Sequence, residues 1–149
     1  MKRAFTVVEL VFVIVILGIL AVIIVPKLAA TKTDAQISKF TMDLTVYVME
    51  IASYYTAKGE FASIIEMSHS ISDPSGKIKI GNTECAQIAV SYALASEVDP
   101  SRGIVEGTPI VKIIPLNGGD VVCNSAHKVA KRIIDLSPVN VGHNSIKFN

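Results

Sequence analysis

The chain lacks the residue groupings on which catalysis depends. Its three histidines, His69, His127 and His143, are scattered without HExxH spacing, and each reads as a surface or turn residue. No GxSxG, GxxxxGK[ST] or GxGxxG run is present. Without a nucleophile set beside a base, paired carboxylates or a phosphate cradle, the chain is not expected to be an enzyme, and no cofactor is expected.

Charge of one sign is lacking too. Fourteen Lys and Arg against 13 Asp and Glu leave a net charge of +1, which gives no field to draw in nucleic acid or an acidic substrate. Basic and aromatic side chains do not interleave as a nucleic-acid surface requires, so no direct nucleic-acid partner is indicated. Lys128, Lys131 and Arg132 form a small cluster that a solvated helix face explains. Cysteine is limited to Cys85 and Cys123, with neither a CxxC pair nor a neighbouring Cys/His pair, so a zinc centre is not indicated. Internal repeats and low-complexity tracts are absent as well.

What the chain does have is a long apolar run. Residues 5–26, FTVVELVFVIVILGILAVIIVP, are apolar throughout except for one carboxylate, Glu9. A helix of about 21 residues rises roughly 1.5 Å per residue and so crosses a hydrocarbon layer of about 30 Å. Lys2 and Arg3 precede the run, and their charge holds the amino end on the cytoplasmic side while the remainder is exported. Glu9 is the anomaly. An acid within a membrane helix costs on the order of 2.5–3.5 kcal/mol and marks a partner or a function. No cation lies within the run to pair with it. Such a partner could come from cutting the chain before Phe5, which frees an amino group at the same membrane depth, on this helix or on a neighbouring copy. A secretory signal peptide removed after Ala30 is the competing reading, but the apolar core is too long for one, contains Glu9, and has Leu28 where a small residue is wanted. An uncleaved membrane anchor is the other alternative.

The leader MKRA, then FTVVEL, then a long apolar helix carrying Gly18 and Pro26 and an amphipathic continuation, resembles the amino terminus of the type IV pilin and pseudopilin family. The likeness covers about the first 57 residues, with Phe5 as the first mature residue and Glu9 four later. One position departs from it: Ala4 stands where the family's leader ends in Gly. The resemblance implies that a prepilin peptidase cuts between Ala4 and Phe5 and that the new Phe5 amine is methylated. It also implies a homo-oligomeric helical filament, with an assembly ATPase, an inner-membrane platform protein and minor pilins or pseudopilins as partners. The implied location is the bacterial inner membrane before assembly and a periplasmic or extracellular filament after. Some secretion pseudopilins of this family hold calcium with loop carboxylates near the carboxyl end. Here Asp99 and Asp120 read as solvated turn residues, Asp135 is the one acid after Asp120, and the EF-hand pattern is absent, so no metal site is expected.

With the apolar helix set aside, about 90 residues remain, enough for one small core. The expected organisation is a leader at 1–4, a membrane or filament-core helix at 5–26, an amphipathic continuation at 27–57 and a globular head at 58–149. Half of the residues are hydrophobic, and the mean hydropathy of +0.50 is carried by the amino-terminal run. Pro26 lacks the amide for a bond to Val22 and Gly18 is a second weak place in the helix. In the continuation Ile37, Phe40, Leu44, Tyr47 or Val48, Ile51 and Tyr54 or Tyr55 draw one apolar stripe, with Asp34, Lys39, Asp43 and Glu50 largely on the wetter side. The stripe needs a cover, from the head or from other copies. Gly59 suits the left-handed end of that helix.

Beyond Gly59 the sequence reads as an irregular connection through residue 82, with a short helical piece near Ile64 to Met67 and a turn at residues 73–76. Ile88, Val90, Tyr92 and Leu94 alternate with Ala89, Ser91 and Ala93, a strand period with one face buried. PIVKIIP at 109–115 is a second strand, and turns are expected at 99–103 and 117–120. After a Ser125 cap, Val129, Ile133 and Leu136 fall at helical spacing, and the tail SIKFN could add a last strand. Cys85 and Cys123 lie in the exported part, where thiols oxidise. If paired, their loop of about 38 residues restricts the denatured state by roughly 4 kcal/mol; two buried free thiols are the alternative. The expected fold is α+β, a long amino-terminal helix packed on a small, mainly antiparallel sheet. The expected function is a structural filament or pseudopilus subunit of a type II secretion or pilus system, with Glu9 pairing a neighbouring Phe5 amine. The alternatives are a membrane-anchored extracytoplasmic binding protein that never polymerises and, last, an exported hydrolase.

Overall fold

A computed structural model of the chain describes residues 6–142. Ala4, Phe5, His143 and the SIKFN tail, to which processing, a turn role and a last strand were assigned, lie outside the described residues. The fold is α+β, as expected.

The first element is α1, Val7–Lys58, assigned as helix without a break through Gly18 and Pro26. It ends one residue past the expected Ala57. Gly59 follows with φ 77°, and its N–H donates to the Tyr55 carbonyl at 2.7 Å, closing the last turn in the left-handed geometry that glycine tolerates best. The chain divides after Ala35 into two compact units. In the first, Val7–Val25 is long and apolar enough to cross a membrane, and none of it is buried.

In the second unit the helical stripe is covered. Ile37, Phe40, Leu44, Tyr47 and Ile51 are buried, with Leu44 and Ile51 at 0% exposure. They pack with Met67, Ile71, Ile78, Ile80, Ile88, Val111, Ile113 and Ala126 in one core. Full burial of a side chain such as Phe40 or Leu44 is worth about 1.5–3 kcal/mol each, so this stripe is the main attachment of the helix to the sheet. The short α2, Ile64–Met67, lies where the sequence put it and sends Met67 into that core.

Among the described residues the sheet has four antiparallel strands in the order β1 (Lys77–Ile80), β2 (Thr83–Tyr92), β3 (Pro109–Pro115) and β4 (Val139–Asn140). β1 corrects the reading of this segment as irregular. Ile78 and Ile80 face the core while Lys79 is exposed, and Gly81 at φ 62° opens a two-residue turn that pairs Ile80 with Thr83. Strand alternation and a Gly-Asn turn were both present, compressed into six residues. β2 begins earlier than expected and ends at Tyr92. Tyr92 and Leu94 are exposed, and Ala93 is buried instead, because the chain leaves the sheet there: Ala93 N–H donates to Thr108 O at 2.8 Å, and Ala93 joins Ile104 and Ile110 in a separate small cluster. β3 has the expected bounds, with a proline at each end.

The helical segment after β3 also differs from expectation. α3 spans Val121–Val129 and α4 Lys131–Asp135, so the helical segment begins directly after the 117–120 turn, four residues before the expected Ser125 cap, and is divided in two. Asp120, not Ser125, is the cap. Its carboxylate accepts from the N–H groups of Val122 and Cys123 at 2.9 and 3.0 Å, while the Ser125 hydroxyl donates to Val121 O inside the helix. The buried face is Cys123, Ala126 and Ala130, leaving Val129 and Leu136 exposed. The reason is the disulfide between Cys85 in β2 and Cys123 in α3, with Cα atoms 5.0 Å apart, which fixes the side of α3 that meets the sheet.

Candidate functional site

The candidate site is the start of α1. Thr6 precedes the first helical residue, and its N–H and hydroxyl both donate to Glu9 Oε2, at 2.9 and 2.8 Å. In return the Glu9 N–H donates to Thr6 Oγ1 at 3.3 Å, and Leu10 N–H reaches Thr6 O at 3.2 Å. This is a reciprocal capping box, in which the residue before the helix and the third residue within it satisfy each other's open groups. The signal, Thr-x-x-Glu before an apolar run, stands at residues 6–9, although the expectation for Glu9 rests on an external charge instead. Glu9 therefore has a neutral partner within its own chain, where a cationic one was sought. Both bonds end on the same carboxylate oxygen, Oε2. A carboxylate with two oxygens and about four acceptor positions keeps capacity for a further donor.

Around this acid the helix surface is hydrocarbon. Val8, Leu10, Val11 and Phe12 are all more than 45% exposed, and so are Ile14, Val15 and Leu17. Gly18 has open space where a side chain would stand. Among the sequence-derived site residues, the structure thus brings Glu9 to the capped end of α1 and places Gly18 and Pro26 farther along that helix.

The second unit contains several polar arrangements, each with a structural task. The Glu50 carboxylate accepts from the hydroxyl of Ser68, a fully buried residue, and from that of Ser70 at 2.8 Å. Partial burial opposes the charge on Glu50, but the two hydroxyls outweigh it and hold the carboxyl below its ordinary pKa. The bond ties the loop after α2 to α1. Asp99 accepts from Ser101 N–H at 3.0 Å and pairs with Arg102 at 3.1 Å, so its side chain organises its own turn, and its pKa is lowered first by the Ser101 hydroxyl. Asp120 is the α3 cap. His127 meets Cys85 O through Nε2 at 2.5 Å, beside the disulfide, and His69 is exposed. Among the described residues no three of His, Cys, Asp and Glu gather as a metal centre would.

Compared with family models, curated proteins and solved structures, the chain matches none.

Proposed function

We propose that the chain is the precursor of a pilin-like filament subunit. The observation that carries this reading is that one helix has two different exteriors: Val7–Val25 presents hydrocarbon on every side, and residues 37–51 bury a single stripe under a disulfide-bonded sheet. The first stretch has the length and surface of a membrane span and, drawn from lipid, of a strand in a shared apolar filament axis. Insertion places the amino end in the cytoplasm and the head outside. A prepilin peptidase cuts between Ala4 and Phe5 and the new amine is methylated. In the fibre Glu9 keeps its Thr6 bonds and adds the Phe5 amine of a neighbour through its remaining acceptor positions, which sets the stagger between subunits as buried polar contacts set register elsewhere. Lifting an apolar helix out of lipid needs external work, supplied by an assembly ATPase through an inner-membrane platform protein. Minor pilins or pseudopilins join the same assembly, in a pilus or type II secretion system.

A second reading, a membrane-tethered head that never polymerises, is favoured by the same capping box, because a carboxylate closed within its own chain needs no neighbour. The mass of the amino terminus, measured on protein from its own cell envelope, separates the two. Methylated Phe5 with threads under the electron microscope supports the filament subunit. An intact Met1 on a dispersed single copy contradicts it and supports the anchor.

A further inference from the structure

We propose that two exposed apolar grooves of the second unit, oppositely charged and on different faces of α1, are the two halves of a contact between copies of this chain. The proposal deepens the filament reading, on which it rests, by naming the head surfaces that meet.

The first groove, of 400 Å³, runs beside Val46, Met49 and Tyr54 of α1 and is rimmed by Glu50 and Glu66. Met49 is 63% exposed, and Met42 and Val46, which precede it on the same face, are exposed as well. Both carboxylates are held by neutral donors. Glu50 accepts from Ser68 and Ser70, and Glu66 from the Tyr54 hydroxyl at 3.2 Å. Among the described residues neither joins an ion pair. The groove is therefore apolar at its floor and doubly negative at its edge, with exposed His69 beside it.

The second groove, of 380 Å³, lies between Thr41 and Thr45 of α1 and the α3–α4 corner, where Val129, Ile133 and Leu136 line it. Val129 and Leu136 are 59% and 55% exposed. Its charge is positive. Arg132 lines it, Lys128 is exposed one residue before Val129, and among the described residues neither is in an ion pair; Lys131 is neutralised by Asp135 at 2.5 Å.

Charge complementarity selects the occupant. Placing the acidic groove on its own copy opposes four carboxylates, and placing the basic one on itself opposes cations, whereas acidic against basic aligns apolar floors and opposite rims. A contact between two different patches leaves the acidic groove free at one end and the basic groove free at the other, so it continues from copy to copy instead of closing as a two-fold pair.

The test uses the full chain in its own cell envelope. Met49→Cys and Val129→Cys chains are produced together and oxidised; both positions are exposed, and the native disulfide is buried. The expected result is a Met49→Cys to Val129→Cys dimer, with neither variant cross-linking when produced alone. Arg132→Glu or Glu66→Lys lowers that yield about fivefold, and the two together restore it. Fibres without this cross-link overturn the contact and leave the filament reading standing. A cross-link of either position to itself or to another protein overturns the contact as well. The mixed cross-link without fibres upholds the contact and contradicts the filament reading, and absence of both overturns both.

Discussion

Residues 7–25 and residues 37–51 belong to the same helix, yet they are held by opposite means. In the first stretch no residue is buried and the apolar side chains point in all directions. In the second, five side chains at steps of three and four are buried, while Lys39 and Asp43 form an exposed-side ion pair at 2.6 Å. A helix that is apolar all round has no preferred side, so its partner must surround it, as lipid or identical helices do. A helix with one stripe has a single partner, here the sheet. The difference teaches that composition alone does not separate anchoring from attachment: both stretches are hydrophobic, and only the period of the hydrophobicity tells which is packed within its own chain.

The sharpest way to break that contrast is to destabilise one stretch and ask whether the other responds. All four tyrosines, Tyr47, Tyr54, Tyr55 and Tyr92, lie in the unit that begins at Gln36, so tyrosine fluorescence during denaturation of the full chain in detergent reports that unit alone. Replacing Cys85 and Cys123 by Ser should lower its stability most, by about 4 kcal/mol, through the freed loop of the denatured state. Leu44→Ala, at a fully buried position of the stripe, should follow with a loss of about 3 kcal/mol. Leu17→Ala, at an exposed position of the first stretch, should leave the same signal unchanged; an equal loss there would mean that the two stretches are not separately held.

Two caps give a finer version of the same contrast. Asp120→Ala should cost the head about 1 kcal/mol in that assay, whereas Thr6→Ala, which opens the box at Glu9, should leave the tyrosine signal alone and increase hydrogen exchange in the first turn of α1. The smallest effect is one of pH. The folded-state pKa of Glu50 lies below its ordinary value of 4.5, so the unfolded chain takes up the proton first. Its contribution is present in full above that value and is lost as pH falls through the lowered one. The melting temperature should fall in that acid range, and Glu50→Gln should flatten part of the fall.

Much of this architecture was legible in residue order because it depends on short-range repetition. The stripe from Ile37 to Ile51, the Gly59 terminus, the Ile64–Met67 turn of helix and the proline-bounded strand at Pro109–Pro115 each carry their signal within one segment. β1 was missed because its alternation lasts only four residues, Lys77–Ile80, inside a polar connection. The buried side of α3 was misplaced because a bond to Cys85, 38 residues away, decides it, and the apolar spacing of Val129, Ile133 and Leu136 pointed elsewhere. Contacts such as Glu50 with Ser68 and Ser70 join segments 18 and 20 residues apart and leave no local trace. At the candidate site the opposite happened. The Thr6–Glu9 box is local and readable, but a single acid in a run of valine and leucine points first to an external charge.

That box makes the choice of substitution at Glu9 decisive. Alanine removes the cap and the charge together, whereas glutamine can keep the cap and removes the charge alone. The direct measurement is therefore the fibre yield of Glu9→Gln against wild type, counted by electron microscopy alongside the amount of membrane-inserted protein. If the Glu9 charge meets a neighbour's amine, insertion stays normal and fibres are lost; a normal yield of fibres from Glu9→Gln would contradict the pairing.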